Sequence, residues 1–210
     1  MGFFRRLFSN STDAGPLALI DLEDERLRYK GIINDTRVWY TEDGDGIGLY
    51  YFSVPPDLPK GQPSVARFCE SYTESAEGNL VQVGVETHDD LAMVKVIGKA
   101  PQIPSGNTYV GSFILPFDKC SYVVKIQCEE RGITGVRESM LLVKEMTVGE
   151  RGQDEDGNSV IDLSTDDEIY DTDFPGHPLS RCRRGLSRIA ASLRISEEVR
   201  ALPKFDLPNE

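Results

Sequence analysis

Cysteine and histidine are the residue types whose chemistry is easiest to recognise, and this sequence has four cysteines and two histidines. A thiol nucleophile needs a base beside it, and the pairing that the sequence offers is Cys69 with His88. However, Cys69 lies on the apolar stripe of a predicted helix, where an inert buried thiol is expected. The sequence also lacks the GxSxG and HExxH motifs. We therefore predict a protein without enzymatic activity, and a hydrolase that uses carboxylates or Cys69 is the alternative.

Metal-binding and phosphate-binding patterns are incomplete. His88 and His177 are the only histidines, whereas transition-metal sites usually draw on histidine or cysteine ligands. An EF-hand loop requires glycine at its sixth position and glutamate at its twelfth. Counting Gly157 as the sixth position places Leu163 at the twelfth, and the loop around Gly46 fails in the same way. No GxxxxGK[ST] phosphate-binding loop is present either. The sequence thus predicts neither a metal site nor a cofactor.

Charge and residue type point to another protein as the partner. The chain carries 23 Lys and Arg against 35 Asp and Glu residues, a net charge of −12, which argues against nucleic-acid binding because that depends on neutralising phosphates. Tryptophan, tyrosine and arginine anchor protein interfaces most often. The predicted partner-binding residues are therefore Trp39, Tyr40, Arg181, Arg184 and Arg188. Core packing is the alternative for Trp39, and the oligomeric state is left open.

The elements that must position these residues follow from hydrophobic periodicity. Short strand patterns occupy residues 17–54, and the turn sequence Asp43-Gly44-Asp45-Gly46 predicts a hairpin between the last two. Residues 63–76 show the apolar spacing of a helix, and four further strands are predicted over 80–128. Residues 136–143 fit either a short helix or a final strand. This order predicts an α+β fold, in which a twisted antiparallel sheet carries one main helix packed on it.

The composition changes twice in the last third of the chain. Residues 149–173 contain ten acidic residues with Arg151 as the single basic one, which predicts an extended or disordered connector. Residues 179–194 carry five arginines and no acid, and their apolar stripe at spacings of three and four predicts an amphipathic helix. Three alternatives stay open for this helix: it packs on the sheet domain, docks into a partner's groove, or binds an anionic surface.

Four segments follow: a flexible basic-aromatic N-terminus (1–14), the α+β domain (15–148), the acidic connector (149–176), and the basic amphipathic helix with its tail (177–210). Residues 1–8 lack the apolar run of a signal peptide. The cysteines are too few for a disulfide framework. We therefore predict a cytoplasmic protein. The alternative is a peripheral membrane protein that uses residues 1–8 and the basic helix.

The order of elements resembles a known fold. The opening hairpin ends at Phe52-Ser53-Val54-Pro55-Pro56 and is followed by one helix, four strands and a short closing element. Over roughly residues 28–145, this order resembles the PsbP-like fold, which includes DcrB-type bacterial proteins. The resemblance implies binding to other proteins and no catalytic set, and some DcrB-like proteins serve as secretion chaperones. On this basis we expect a chaperone or an immunity-type factor for a secreted effector.

Overall fold

The computed structural model describes residues 15–75, 80–148, 152–153, 159–160 and 165–208. Its strands are β1 (Ile20–Leu22), β2 (Arg28–Ile33), β3 (Thr36–Tyr40), β4 (Gly46–Phe52), β5 (Leu80–His88), β6 (Leu91–Pro101), β7 (Asn107–Pro116), β8 (Ser121–Glu129), β9 (Gly152–Gln153), β10 (Ser159–Val160) and β11 (Leu193–Ile195). Its helices are α1 (Val65–Ser75), α2 (Val136–Val148), α3 (Pro178–Ser192) and α4 (Glu197–Arg200), with short 3-10 helices at Gly15–Leu19 and Glu168–Tyr170.

Seven strands form one sheet in the order β2-β3-β4-β8-β7-β6-β5. Every neighbouring pair in it is antiparallel, which confirms the predicted α+β class. The predicted hairpin joins β3 to β4, with Tyr40 opposite Gly46. Residues 136–143, which fit a helix or a strand in the sequence, form the first part of α2. Two short pairs, β1 with β11 and β9 with β10, lie outside the large sheet.

Helix α3 covers one face of the sheet with the apolar stripe predicted from its spacing. The stripe residues are fully buried: Leu179, Cys182, Leu186, Ile189 and Leu193. The helix comes close to the sheet because Gly111 of β7 has no side chain, and a Cβ there would lie 2.7 Å from Cys182 Sγ. The sequence left open whether this helix packs on its own domain, docks into a partner or binds an anionic surface. In the structure it packs on its own sheet.

The opposite face of the sheet is covered over only part of its width. Helix α1 lies against β5 and buries Phe68 completely. Phe205 and Leu207 from the C-terminal tail pack in the same cluster, with Val94 of β6 beneath them. Over β3, β4 and β8, this face carries a groove lined by strand and hairpin residues in the part of the chain that the structure describes, with Val38 and Gly48 buried at its floor. This difference leaves half of one face open.

The predicted acidic connector needs a correction over its last part. Residues 149–151, 154–158 and 161–164 lie outside the described residues. From residue 165 onward the chain is not extended: it forms turns and the 3-10 helix at Glu168–Tyr170. Acidic runs repel themselves only when nothing neutralises them. Here arginines from α2 and α3 bind the acids, so the segment folds against the domain.

None of the described helices has the length and the apolar character needed to cross a membrane. Residues 1–14, which include the basic-aromatic octet of the membrane alternative, lie outside the described residues. That alternative stays a prediction.

Candidate functional site

The cysteine and histidine of the nucleophile alternative do not meet. Cys69 Sγ on α1 lies 3.8 Å from the Val83 carbonyl oxygen, whereas His88 Nε2 lies 3.1 Å from the Leu193 carbonyl oxygen at the end of α3. Because α1 and α3 pack on opposite faces, the sheet separates the two side chains. Burial raises the pKa of the Cys69 thiol, so the reactive thiolate is disfavoured.

Two of the five predicted partner-binding residues are buried, which corrects their assignment. Trp39 is 2% exposed because alternate residues of β3 point to the covered face. The Arg37 guanidinium lies 5.0 Å from the centre of its ring system, and the Tyr29 ring packs against it. Arg181 is 8% exposed. Neither side chain reaches a partner on the folded surface.

Arg181 is held by an internal ion pair. Its Nε donates to Asp45 Oδ2 at 2.9 Å, and its Nη2 donates to Asp45 Oδ1 at 3.2 Å. The same guanidinium donates to the carbonyl oxygens of Gly176 and Glu129, each at 2.6 Å. Arg131 also donates to Asp45 Oδ1 at 2.9 Å. This network ties the β3–β4 hairpin to α3, so the role of Arg181 is structural.

A second buried network fixes the folded part of the acidic segment. Arg137 on α2 has no exposed surface and donates to the carbonyl oxygens of Thr165 and Asp167 at 2.8 and 2.7 Å. It also donates to Asp171 Oδ1 at 2.9 Å, which accepts from Arg183 as well at 3.1 Å. A buried guanidinium is tolerated only when its donors are satisfied. Hydrogen bonds from these two arginines therefore hold residues 165–171 against α2 and α3.

Arg184 and Arg188 lie at an open, charged cleft of about 730 Å³. Arg184 pairs with Asp43 at 3.3 Å. Arg188 lies 3.4 Å from Glu42 and 3.8 Å from Asp24. The cleft therefore neutralises its own arginines, which weakens any attraction for an anionic partner.

Tyr40, the remaining predicted residue, lines a groove of about 180 Å³ on the open half of the sheet. The floor of this groove is the glycine strand, which we define as the alternation Gly44, Gly46, Gly48 leading into and along β4. Glycine places no side chain on this face, while the intervening Ile47 is buried on the other side. The strand register sets Val38, Gly48 and Lys125 in one row, and Tyr40, Gly46 and Gln127 in the next. The groove thus runs between side chains of β3 and β8.

Tyr50 closes one end of the groove. A Cβ at Gly48 would lie 2.8 Å from the Tyr50 ring, so the ring lies across the strand only because residue 48 is glycine. Lys125 Nζ lies 5.4 Å from the centre of the Tyr50 ring. The lysines that form ion pairs among the described residues are Lys95, Lys99 and Lys144. The Lys125 ammonium therefore faces the groove without a carboxylate partner in that part of the chain.

Reasoning from the sequence missed this groove. The alternation Gly44-x-Gly46-x-Gly48 stands in the sequence, but it served only as a turn signal and as an incomplete loop motif. Alternating glycines in a strand remove every side chain from one face, and a strand interior containing glycine often marks a site of close approach. That signal was available, whereas the neighbours across β3 and β8 were not.

A second polar cluster lies where β8, α2 and α3 meet. His177 caps α3: its Nδ1 accepts from the Leu179 N–H at 3.3 Å. Its Nε2 lies 3.6 Å from Glu138 Oε1, and the edge of its ring faces Tyr109 at a centroid distance of 5.5 Å. The imidazole beside it holds the pKa of the Glu138 carboxyl below its usual range. Glu130 completes the cluster.

Comparisons with known proteins leave the family open. No protein-family model matches the sequence, and no curated protein matches it. Among solved structures, the chain is similar to a protein from Bacteroides thetaiotaomicron VPI-5482, with 6% sequence identity and a TM-score of 0.36. The match covers 57% of this chain and 42% of that one. A likeness of this size carries no argument about fold or function, so the resemblance to the PsbP-like fold stays a prediction.

Proposed function

We propose that this protein is a non-enzymatic binding module that holds an extended segment of another protein in the glycine-floored groove between β3 and β8. The observation that carries the proposal is a pair of half-buried tyrosines, Tyr40 and Tyr50, beside Gly46 and Gly48, where β4 has no side chain on this face. Tyr40 and Tyr50 line the groove with Val38 between them. Tyrosine offers a large apolar ring and a polar hydroxyl at low conformational cost, which suits protein interfaces.

The groove also defines the chemistry of the bound segment. The Tyr40 and Tyr50 rings offer faces for an aromatic or proline side chain to stack on. The Lys125 ammonium, in a chain with a net charge of −12, favours an acidic residue nearby in the segment. Burial raises the pKa of the Tyr50 hydroxyl, so this group stays protonated and can donate a hydrogen bond to a backbone carbonyl. An extended peptide with an aromatic or proline residue beside an acid fits these features.

The predicted roles of chaperone or immunity-type factor remain part of this proposal. Both roles require a surface that recognises an effector. Cys69 and His88 lie on opposite faces of the sheet. This separation disfavours the alternative of a hydrolase in which His88 activates the Cys69 thiol.

Selection from a random peptide library tests the proposal. The immobilised full-length protein is exposed to the library, and the Tyr40→Ala variant serves for counter-selection. We expect enriched peptides that combine an acidic residue with an aromatic residue or proline. Synthetic copies are then titrated into the protein and its variants by fluorescence anisotropy. Tyr40→Ala should weaken binding by about tenfold or more, as for a residue that dominates an interface.

Tyr29→Ala is the matched control, because Tyr29 is 53% exposed and lies on the neighbouring strand β2 with its ring toward Trp39 on the other face. Its affinity for the peptides should equal that of the unaltered protein. The proposal is wrong if no peptide is enriched, or if Tyr29→Ala weakens binding as much as Tyr40→Ala while both variants stay folded by circular dichroism.

A further inference from the structure

Three potential metal ligands converge from three separate elements. Glu130 follows β8, Glu138 lies in the first turns of α2, and His177 precedes α3. One ligand atom from each of these side chains lies within 4.8 Å of the other two. Two carboxylates and one imidazole form a donor set that zinc and related divalent ions accept. The carboxylates supply two negative charges to balance such an ion.

A second observation concerns the polar atoms at the centre of this cluster. The His177 side chain is 7% exposed, yet its Nε2 has no hydrogen-bond partner among the described residues, and the same holds for the buried Glu138 Oε2. Most buried polar atoms in folded proteins are paired. Two unpaired buried polar atoms beside a third potential ligand residue therefore indicate a binding site for a further group.

We propose that Glu130, Glu138 and His177 bind one divalent transition-metal ion of the zinc class. Nε2 of His177 and one carboxylate oxygen from each glutamate would be the ligands, and small side-chain rotations would bring them to coordination distance. Glu130 is already oriented, because its Oε1 accepts from the Gly135 N–H at 2.7 Å and its Oε2 from the Asn107 N–H at 3.0 Å. Each oxygen keeps a further lone pair for a metal.

Coordination has one structural cost at His177. Because Nδ1 accepts from the Leu179 N–H, the neutral ring carries its proton on Nε2. A metal on Nε2 requires this proton to move to Nδ1, and the cap of α3 is then lost. Loss of a helix cap changes a folding equilibrium by about fivefold, whereas a metal that binds only the folded state shifts it by about 100-fold when its concentration is about 100 times Kd. The exchange therefore favours the metal.

The surroundings are compatible with a bound cation. Two guanidiniums that line the adjoining cavity are already paired with carboxylates: Arg137 with Asp171 at 2.9 Å and Arg131 with Asp45 at 2.9 Å. His177 and Glu130 also line an adjoining cavity of about 240 Å³. Three protein ligands leave a coordination position open, as in zinc sites that hold water or a ligand.

Titration of the full-length protein, first stripped with a chelator, tests the site. Zn²⁺ binding is followed by calorimetry, and Co²⁺ binding by its visible absorption, which reports ligand geometry. We expect one ion per chain at micromolar or tighter affinity. Glu138→Gln keeps the shape of the side chain but removes its charge. His177→Asn keeps an acceptor for the Leu179 N–H but removes Nε2. Each variant should weaken Zn²⁺ binding by at least about 100-fold.

The control is Glu168→Gln, which alters an exposed acid of the folded acidic segment and should bind Zn²⁺ like the unaltered protein. Circular dichroism shows whether each variant is folded. The inference is overturned by a lack of saturable Zn²⁺ binding, or by folded Glu138→Gln and His177→Asn variants that bind Zn²⁺ with unchanged affinity. Because peptide binding in the groove is measured separately, either proposal can fail alone.

Discussion

Charged and aromatic side chains differ in burial and ion pairing between the two faces of the sheet. On the face covered by α3, Trp39 is 2% exposed and Arg181 is 8% exposed, and the arginine is paired with a buried aspartate. On the open half of the other face, Tyr40 and Tyr50 line a groove, and Lys125 has no ion pair that involves the described residues. The same residue types stabilise the fold on one side and remain available on the other.

Residue type alone therefore does not show whether a side chain stabilises the fold or is available to a partner. Its contacts within the protein show this. A buried guanidinium needs acceptors for all its donors and cannot release them to a partner without a large cost. The Tyr50 ring instead lies over Gly48, where β4 has no side chain on this face.

The largest effect is expected where a buried charge loses its partner. Replacing Arg137 by methionine removes one of the two arginines that bind the Asp171 carboxylate and takes the Arg137 donors from two carbonyl oxygens. The free energy of unfolding should fall by about 3–5 kcal/mol, as measured by urea denaturation. Arg184→Met is the matched control: this arginine is 47% exposed in its pair with Asp43, and its removal should cost less than about 1 kcal/mol. Equal losses for both variants would refute the contrast between buried and exposed arginines.

Tyr122 on the covered face should also make the folded protein less stable in alkaline solution. Burial raises the pKa of Tyr122 to about 12, above the value of about 10 for tyrosine in an unfolded chain. Between these values the unfolded state releases the phenolic proton and the folded state keeps it, so stability is lost as pH rises through this window. The loss should reach about 2 kcal/mol by pH 12, measured by urea denaturation in a pH series. Tyr122→Phe should lose less over the same range, and an identical pH profile would contradict the assignment.

Close packing between α3 and the sheet predicts an intermediate effect at Gly111. A Cβ at this position would lie 2.7 Å from Cys182 Sγ and 2.8 Å from Leu186 Cδ1, so Gly111→Ala should destabilise the protein by about 1–3 kcal/mol. Gly84→Ala is the control, because Gly84 of β5 has no atom within 4 Å of the position of its Cβ. This variant should be neutral in thermal unfolding. A loss at Gly84 as large as that at Gly111 would show that strand glycines matter here for another reason.

The smallest change in stability is expected in the groove, where function should respond most. Gly48→Ala places a methyl group 2.8 Å from the Tyr50 ring, which forces the ring to move and partly fills the floor. Peptides selected by the protein should bind about tenfold more weakly, while the unfolding free energy changes by less than about 1 kcal/mol because the ring can turn outward. Unchanged peptide affinity, measured by fluorescence anisotropy, would speak against a bound segment over the glycine strand.

The sequence predicts the fold well where the signal is local. The helical spacing of Leu179, Cys182 and Leu186 predicts α3 and its buried stripe, and the Asp-Gly repeat predicts the β3–β4 turn. For Trp39, the structure has core packing, the alternative that the sequence leaves open. The sequence does not reveal the environment of Arg181, because its partner Asp45 comes from a distant part of the chain and no periodicity connects the two.

The candidate sites show the same limit. The glycine alternation around Gly46 was visible, but the strands that flank it become known only from the pairing of β4 with β3 and β8. The cluster of Glu130, Glu138 and His177 joins three elements that the sequence could not place together. Local patterns therefore predict elements, and sites require the register between them.

Amide and side-chain NMR chemical-shift mapping during titration with a selected peptide locates the surface on which the peptide binds. We expect the shifts to concentrate on the Val38 methyl groups, the Tyr40 and Tyr50 rings and the Lys125 side chain, with the amides of α3 unchanged. Shifts that concentrate instead on α3, or around Arg184 and Arg188, would contradict the claim that the open half of the sheet is the binding surface.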